Sequence, residues 1–125
     1  MSEAKETRVI AVVDDMFFAS KIKTAAKSAG VKLDLIKNSN KFIEEIRTDP
    51  PALIIFDLNS KKLKPLELIK ELKSCQELKK TMTLGYLPHV EEGLKSEASN
   101  LGFDIVMPRS RFVRELVSIL ENLDC

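Results

Sequence analysis

Two apolar stretches constrain the fold of this chain more than any other feature, because each of them ends on carboxylates. Ala52 to Asn59 reads ALIIFDLN, a nearly continuous apolar run that stops at Asp57. Such a run is typical of a strand buried on both faces of a parallel sheet. The run from Arg8 to Val13 is equally apolar and is followed by Asp14 and Asp15. We expect the two strands to be parallel neighbours that bring three carboxylates to one edge of the sheet.

The rest of the chain alternates between helical and strand patterns, which predicts a three-layer α/β sandwich with one parallel sheet and helices on both faces. Further strands are expected at Val31 to Ile36, Met82 to Leu87 and Phe103 to Met107. The first three helices are expected from Met16 to a stop at Gly30, from a cap at Asn38 to Asn40 as far as Pro50, and from Pro65 through Leu72. A fourth is expected from about Glu91 to Asn100, and a fifth from a cap at Ser110 through Leu120. The inward-facing residues of the fifth helix are expected to be Phe112, Val113, Leu116, Val117 and Leu120.

Composition limits the classes of protein that fit. With 44% hydrophobic residues, 125 residues form one domain with its core at about 8–121. Because the chain has 20 basic and 19 acidic side chains, its charges nearly balance, and neither nucleic acid nor a membrane surface is an expected partner.

The chain lacks a long apolar run and starts with a polar segment, so we expect a cytoplasmic protein. Cys75 and Cys125 lack metal-ligand spacing and are expected to be reduced thiols.

Three carboxylates at one edge need compensation, because each like-charge pair repels by roughly 1 to 4 kcal/mol. A hard cation, a nearby Lys or Arg, or partial protonation can supply it. Magnesium suits Asp14, Asp15 and Asp57, with a backbone carbonyl from Asn59. A carboxylate beside such a metal can attack phosphorus and form an aspartyl phosphate. Alternatively, the acids simply end their strands and face water.

The motifs VVDD after the first strand and IIFDLN around Asp57, with a proline after the fifth strand, resemble the receiver domain of two-component response regulators. The resemblance covers nearly all of the chain from Arg8 to Leu120. It implies a flavodoxin-like strand order 2-1-3-4-5 and a role in phosphorelay-type signalling. It also implies that Asp14 and Asp15 form the metal-binding acid pair and that Asp57 is the phosphoacceptor.

Two positions depart from the family pattern. The family's Ser or Thr at the end of strand four is matched here by Gly85, and its Lys before the proline is matched by Met107. Neither residue can contact a phosphoryl group through a hydroxyl or a positive charge. The chain therefore resembles the atypical receivers, also called pseudo-receivers. Arg109 and Arg111 follow the proline, and either one is a substitute cation or an ordinary surface residue.

Three further residues are candidates for contacts with a partner. Tyr86 is expected to be a fixed part of the surface, because the usual hydroxyl-to-aromatic switch is missing. His89 is the only histidine and lies in a loop, where it is either a metal ligand, general base or pH-sensitive contact, or a solvated side chain. Met16 and Phe17 follow the acid pair, and simple core packing is the preferred interpretation for them. The alternative is that Phe17 or Met16 stays exposed beside the acids as a partner-binding patch.

Three functions compete. The leading hypothesis is a stand-alone atypical receiver, not an enzyme, that acts by binding a signalling protein such as a histidine kinase or a downstream effector, with weakened or absent phosphorylation switching. Its binding surface is expected on the fourth helix, fifth strand and fifth helix, as the resemblance implies. The second hypothesis is a working Mg²⁺-dependent phosphoacceptor modified on Asp57. The third is a small metal-dependent phosphohydrolase that uses the same acids.

Overall fold

A parallel sheet organises the chain. The computed structural model describes residues 7–36, 42–88 and 92–123, and its strands pair in the order β2-β1-β3-β4-β5. They are β1 (Arg8–Val12), β2 (Lys32–Ile36), β3 (Leu53–Asp57), β4 (Met82–Leu87) and β5 (Ile105–Pro108). Every neighbouring pair is parallel. The predicted fold class and strand order are therefore confirmed, and β1 and β3 lie side by side at the centre.

Helices connect the strands. They are α1 (Met16–Ala29), α2 (Phe42–Arg47), α3 (Pro65–Lys73), α4 (Glu92–Leu101) and α5 (Arg109–Glu121), with a short 3₁₀ turn at Gln76–Leu78. Gly30 ends α1 in the left-handed conformation, at φ 75°, as the sequence predicts. Pro65 occupies the first turn of α3, where its missing N–H costs nothing. The predicted cap at Asn38 to Asn40 lies outside the described residues.

Two apolar cores lie on opposite faces of the sheet. One core joins α1 and α5 to strand residues such as Ala11, Ile55 and Leu84. The other joins α2, α3 and α4 to the alternate strand residues, such as Ile54 and Phe56. Side chains alternate between faces along each strand. The position of a residue along its strand therefore decides which core it joins, and this rule fixes the geometry of the site.

The fifth helix differs from the sequence prediction in two ways. It starts at Arg109, with the extended Pro108 at its N-cap, so Ser110 lies inside the helix and does not cap it. Val113 and Val117 were expected in the inner stripe but are 39% and 38% exposed. The sheet-facing side is filled by the buried residues Phe112, Leu116 and Leu120. The two valines therefore face outward, toward the side of α1.

The fifth strand is shorter than predicted. Asp104 precedes it and exchanges side-chain and backbone hydrogen bonds with Thr83, including Thr83 Oγ1 to Asp104 Oδ2 at 3.0 Å. Regular pairing with β4 begins only at Ile105. None of the helices in the described part of the chain is long and apolar enough to cross a membrane.

Candidate functional site

Three acidic side chains end the two central strands, and each forms a local hydrogen bond. Asp57 Oδ1 accepts the backbone N–H of Asn59 at 2.9 Å. Asp14 Oδ2 accepts the hydroxyl of Ser60 at 3.2 Å. Asp15 Oδ1 accepts the backbone N–H of Phe17 at 2.9 Å, so Asp15 caps α1. Each carboxylate thus has one oxygen committed to shaping its own loop or helix end.

Asp57 is the acid whose ionisation is most affected by its surroundings. Its partial burial raises the pKa above the ordinary value, and the negative charges of Asp14 and Asp15 raise it further. The hydrogen bond from Asn59 and the positive charge of Arg109 act in the opposite direction. The net result is a raised pKa. Asp14 and Asp15 therefore both act electrostatically on Asp57.

Arg109 is the cation that acts on this site. Its guanidinium carbon lies 4.7 Å from the ring centroid of Phe18, in a cation–π contact. From there its charge lowers the pKa of Asp57 without forming an ion pair with it, and no ion pair of Asp57 is found among the described residues. Arg111 instead bonds Glu115 at 3.1 Å on the outer side of α5. Of the two arginines, only Arg109 acts at Asp57.

Tyr86 is buried, which contradicts the expectation that it belongs to the surface. It pairs with Asp57 in the register of β3 and β4, and only 1% of its area is exposed. Its ring stacks on Phe112 with centroids 4.6 Å apart and contacts Phe18 at 5.6 Å. Burial and the charge of Asp57 raise the pKa of the hydroxyl. Because strand pairing points it toward α1 and α5, Tyr86 is unavailable to a partner protein.

Gly85 does not occupy the strand position opposite Asp57, from which a side-chain hydroxyl could contact that acid. The interpretation of Gly85 as a degenerate switch position is therefore corrected. Gly85 pairs with Phe56, one step before Asp57, and therefore belongs to the other face of the sheet. A Cβ on Gly85 would lie 2.7 to 2.9 Å from three side-chain atoms of Leu58. The glycine thus makes room for Leu58, and Tyr86 occupies the position opposite Asp57.

Met107 also has a structural role. It pairs with Tyr86 and is 4% exposed, within the core beneath α1 and α5. Arg109 follows two residues later, beyond the end of the strand and on the side of α1. The interpretation of Met107 as the vacant cation position is therefore corrected, because the register displaces the cationic side chain by two residues.

The residues expected to hold magnesium are Asp14, Asp15, Asp57 and Asn59. The donor set of Asp14, Asp15, Asp57 and the Asn59 carbonyl has the oxygen chemistry that magnesium prefers. Within residues 7–36, 42–88 and 92–123, however, no three acidic, histidine or cysteine side chains are grouped so that they could hold one ion. Magnesium usually takes one or two protein carboxylates and keeps several waters, so binding of magnesium at these acids stays a prediction.

The remaining candidates divide between exposed and undescribed residues. Phe17 and Met16 are 64% and 61% exposed directly after the acid pair, so the preferred core-packing interpretation is wrong for these two side chains. His89 lies outside the described residues. Sequence reasoning missed Ser60, whose buried side chain both donates to Asp14 and accepts the N–H of Leu63 at 3.1 Å. Its only signal was a small hydroxyl residue three positions after the central acid.

No family profile matches this sequence, and no curated protein matches it. Solved structures do share its fold. A response regulator from Hahella chejuensis superposes with a TM-score of 0.84 at 16% identity, covering 96% of this chain and 99% of that one. The chemotaxis protein CheY4 of Vibrio cholerae gives a TM-score of 0.82 at 17% identity, with coverages of 96% and 100%. The phosphorylated cyanobacterial phytochrome response regulator RcpA gives 0.77 at 18% identity, with coverages of 94% and 90%. Likeness at such identities shows the fold alone, and that fold is the flavodoxin-like fold of receiver domains.

Proposed function

We propose that this chain is an atypical receiver-like signalling module that acts by binding another protein, with weakened phosphorylation switching. The observation that carries the proposal is the state of Asp57. It ends the central strand of a receiver fold, but among the described residues it has no ion-pair partner, while the guanidinium of Arg109 stacks on Phe18. A phosphoryl group on Asp57 would add negative charge beside Asp14 and Asp15 with little compensation.

The proposed module has no catalytic turnover of its own and works in the cytoplasm with a signalling partner, such as a kinase or an effector. The exposed apolar side chains indicate where it binds. Five large hydrophobic residues are exposed in the described part of the chain: Met16 and Phe17 lie on α1, Val113 and Val117 lie on α5, and Met82 lies at the start of β4. The described part of α4 offers none. These positions favour the α1 and α5 side over the surface of α4, β5 and α5 that the sequence suggested.

A phosphodonor experiment tests the weakened switching. Wild-type protein and Asp57→Asn are incubated with magnesium and acetyl phosphate, and the mass of the intact protein is followed. We expect only a small fraction of wild-type molecules to gain a hydroxylamine-sensitive phosphoryl group. A nearly complete gain that is absent in Asp57→Asn would overturn the proposal.

One observation favours a second candidate, a working phosphoacceptor modified on Asp57. Arg109 already acts on Asp57 electrostatically, and its charge would favour a more anionic group at that position. The same mass measurement separates the two candidates, because complete modification supports the second. An Arg109→Gln variant adds a control, since its modification should then be markedly slower than that of wild type.

A further inference from the structure

An open groove of about 390 Å³ runs between α1 and α5, on the outside of the molecule. Its floor and walls include Ala25 and Leu116, and the exposed rings and methyl groups of Phe17, Val113 and Val117 lie along it. The α1 side also contributes small hydroxyl residues, which leave the groove shallow and accessible. Apolar side chains at such spacing are usually covered by a partner when they form a continuous strip.

Basic side chains outnumber acidic ones around this groove, where Glu121 lies one helical turn after Val117. In the described part of the chain, Lys21 is the only charged residue that lines the groove, and its Nζ lies 4.9 Å above the ring centroid of Phe17. Arg114 lies one helical turn before Val117, so it flanks the same side of α5. Its side chain is 70% exposed and forms an ion pair with Glu115 at 3.8 Å. Together α1 and α5 carry six basic and two acidic side chains, although the whole chain is nearly neutral at +1. The basic excess is therefore concentrated on these two helices.

We propose that this groove binds an amphipathic helix of a partner protein, with an apolar stripe in the groove and acidic residues along its flanks. The inference deepens the proposed function, on which it rests for the existence of a protein partner. The groove follows α1 from Phe17 to Ser28, a distance of about 16 Å, which equals three turns of a helix. Acidic flanking residues would face Lys21 and Arg114, as electrostatic complementarity requires.

A second copy of the chain fits this surface poorly. Self-association through the groove would place the basic helices α1 and α5 of one copy against the same two helices of the other copy. Like charges placed across an interface work against binding. A partner with acidic flanks removes that conflict and covers the same apolar strip.

Three synthetic peptides of about 14 residues test the proposal on the wild-type protein. The first is a helix with a leucine stripe and glutamate flanks, the second has lysines in place of the glutamates, and the third is the first in scrambled order. Binding is measured by calorimetry and by amide chemical shifts. We expect the first peptide to bind and to shift the amides of α1 and α5, and we expect the other two to bind at least about tenfold more weakly.

Variants of the protein locate the site. Lys21→Glu and Val117→Glu should each weaken binding of the glutamate peptide about tenfold. Lys95→Glu, on the exposed side of α4, is the matched control and should leave binding unchanged. Circular dichroism checks that each variant is folded, and the peptide comparison on wild-type protein does not depend on any variant.

Several outcomes would overturn the inference. These are equal binding of the lysine or scrambled peptide, shifts that fall outside α1 and α5, no binding at all, or a stable dimer in light scattering that Val117→Glu dissociates. The two proposals can fail separately. Loss of peptide binding with Asp57 left largely unphosphorylated removes only the groove assignment, whereas complete phosphorylation removes the proposed function and leaves peptide binding as measured.

Discussion

Tyr86 lies opposite Asp57 in the register of two central strands. Its side chain is buried, and its hydroxyl has no hydrogen-bond partner within residues 7–36, 42–88 and 92–123. The hydroxyl is near enough to Asp57 for that charge to raise its pKa, yet no hydrogen bond joins the two groups. A buried polar atom without a partner destabilises a fold. This pair therefore places two unfavourable groups beside each other at the carboxyl edge of the sheet.

Replacing Tyr86 by Phe should stabilise the protein. The substitution keeps the ring that stacks on Phe112 and removes only the unpartnered hydroxyl. We expect the free energy of unfolding to rise by about 1 kcal/mol. Urea denaturation followed by circular dichroism measures the change.

Thr83→Val is the matched control for that substitution, because it also deletes one buried hydroxyl. The hydroxyl of Thr83 donates to Asp104 Oδ2 and accepts the N–H of Asp104, both at 3.0 Å. Its loss should destabilise the fold by about 1 to 3 kcal/mol. If Tyr86→Phe destabilises the protein as much as Thr83→Val does, the hydroxyl of Tyr86 has a partner after all.

Asp57→Asn should stabilise the protein at neutral pH. The pKa of Asp57 is raised in the folded state, so the folded chain holds that proton more tightly than the unfolded chain, and the ionised form destabilises the fold. We expect a gain in the free energy of unfolding at pH 7, because asparagine has no charge to be desolvated or repelled. The gain should shrink as the pH falls through the folded-state pKa and vanish below the ordinary value of 3.8.

Denaturation of both proteins across this pH range measures that dependence. Asp34→Asn is a suitable comparison, because Asp34 bonds Arg8 at 3.0 Å and its replacement removes a favourable contact. It should weaken the fold slightly at neutral pH. A stability difference for Asp57→Asn that stays constant from pH 7 to pH 3 would contradict the raised pKa.

Arg109→Gln should raise the pKa of Asp57 further. The charge of Arg109 lowers this pKa in the native protein, and glutamine has no charge. Carboxyl chemical shifts followed through a pH titration report the pKa directly. Arg111→Gln is the control and should leave the pKa of Asp57 unchanged, because Arg111 is paired with Glu115. Equal shifts in the two variants would mean that general surface charge acts on Asp57.

Gly85→Ala should destabilise the fold by about 1 to 3 kcal/mol, because the added methyl group enters the space of Leu58. The cost should fall in a Leu58→Ala background, which a double-mutant cycle can show. Gly85→Ser tests the face assignment in the phosphodonor experiment. A hydroxyl on the far side of the sheet should not increase modification of Asp57, and an increase would show that Gly85 faces the acids.

Asp15→Ala should cost about 1 kcal/mol of stability, while Asp15→Asn should cost little. The side chain of Asp15 caps α1 through the N–H groups of Phe17 and Phe18, and asparagine caps a helix about as well as aspartate. Urea denaturation distinguishes the two variants. If Asp15→Asn were as costly as Asp15→Ala, the negative charge would be the important property of Asp15 instead of its capping oxygen.

Much of the fold could be predicted from the sequence because burial leaves a strong periodic signal. The apolar runs ending at Asp57 and before Asp14 became β3 and β1, and the helix from Met16 to Ala29 has the expected ends. The strand order also follows, since alternating strands and helices leave few topologies. These features depend on many residues at once, so a wrong prediction at a single residue does not alter them.

The site was harder to predict because it depends on single-residue register. A shift by one position moves a side chain to the other face of the sheet, which is how Gly85 was assigned in place of Tyr86. The position of the cation was predicted at Met107, but the cationic side chain near the acids is that of Arg109, two residues later. Neither shift changes the apolar pattern of β4 or β5. Pattern alone therefore could not identify the residues around Asp57.

Arg109 takes part in two interactions: a cation–π contact with an aromatic ring and an electrostatic attraction to an acid. Phe18 holds its guanidinium on one side, while the negative charge of Asp57 attracts it from the other. Added negative charge on Asp57 would attract the guanidinium more strongly and would work against its contact with Phe18. The ring of Phe18 in turn meets Phe17 edge to face at 5.6 Å, on the rim of the groove. Through Arg109, the charge on Asp57 can thus affect how the aromatic side chains pack at the rim of the groove.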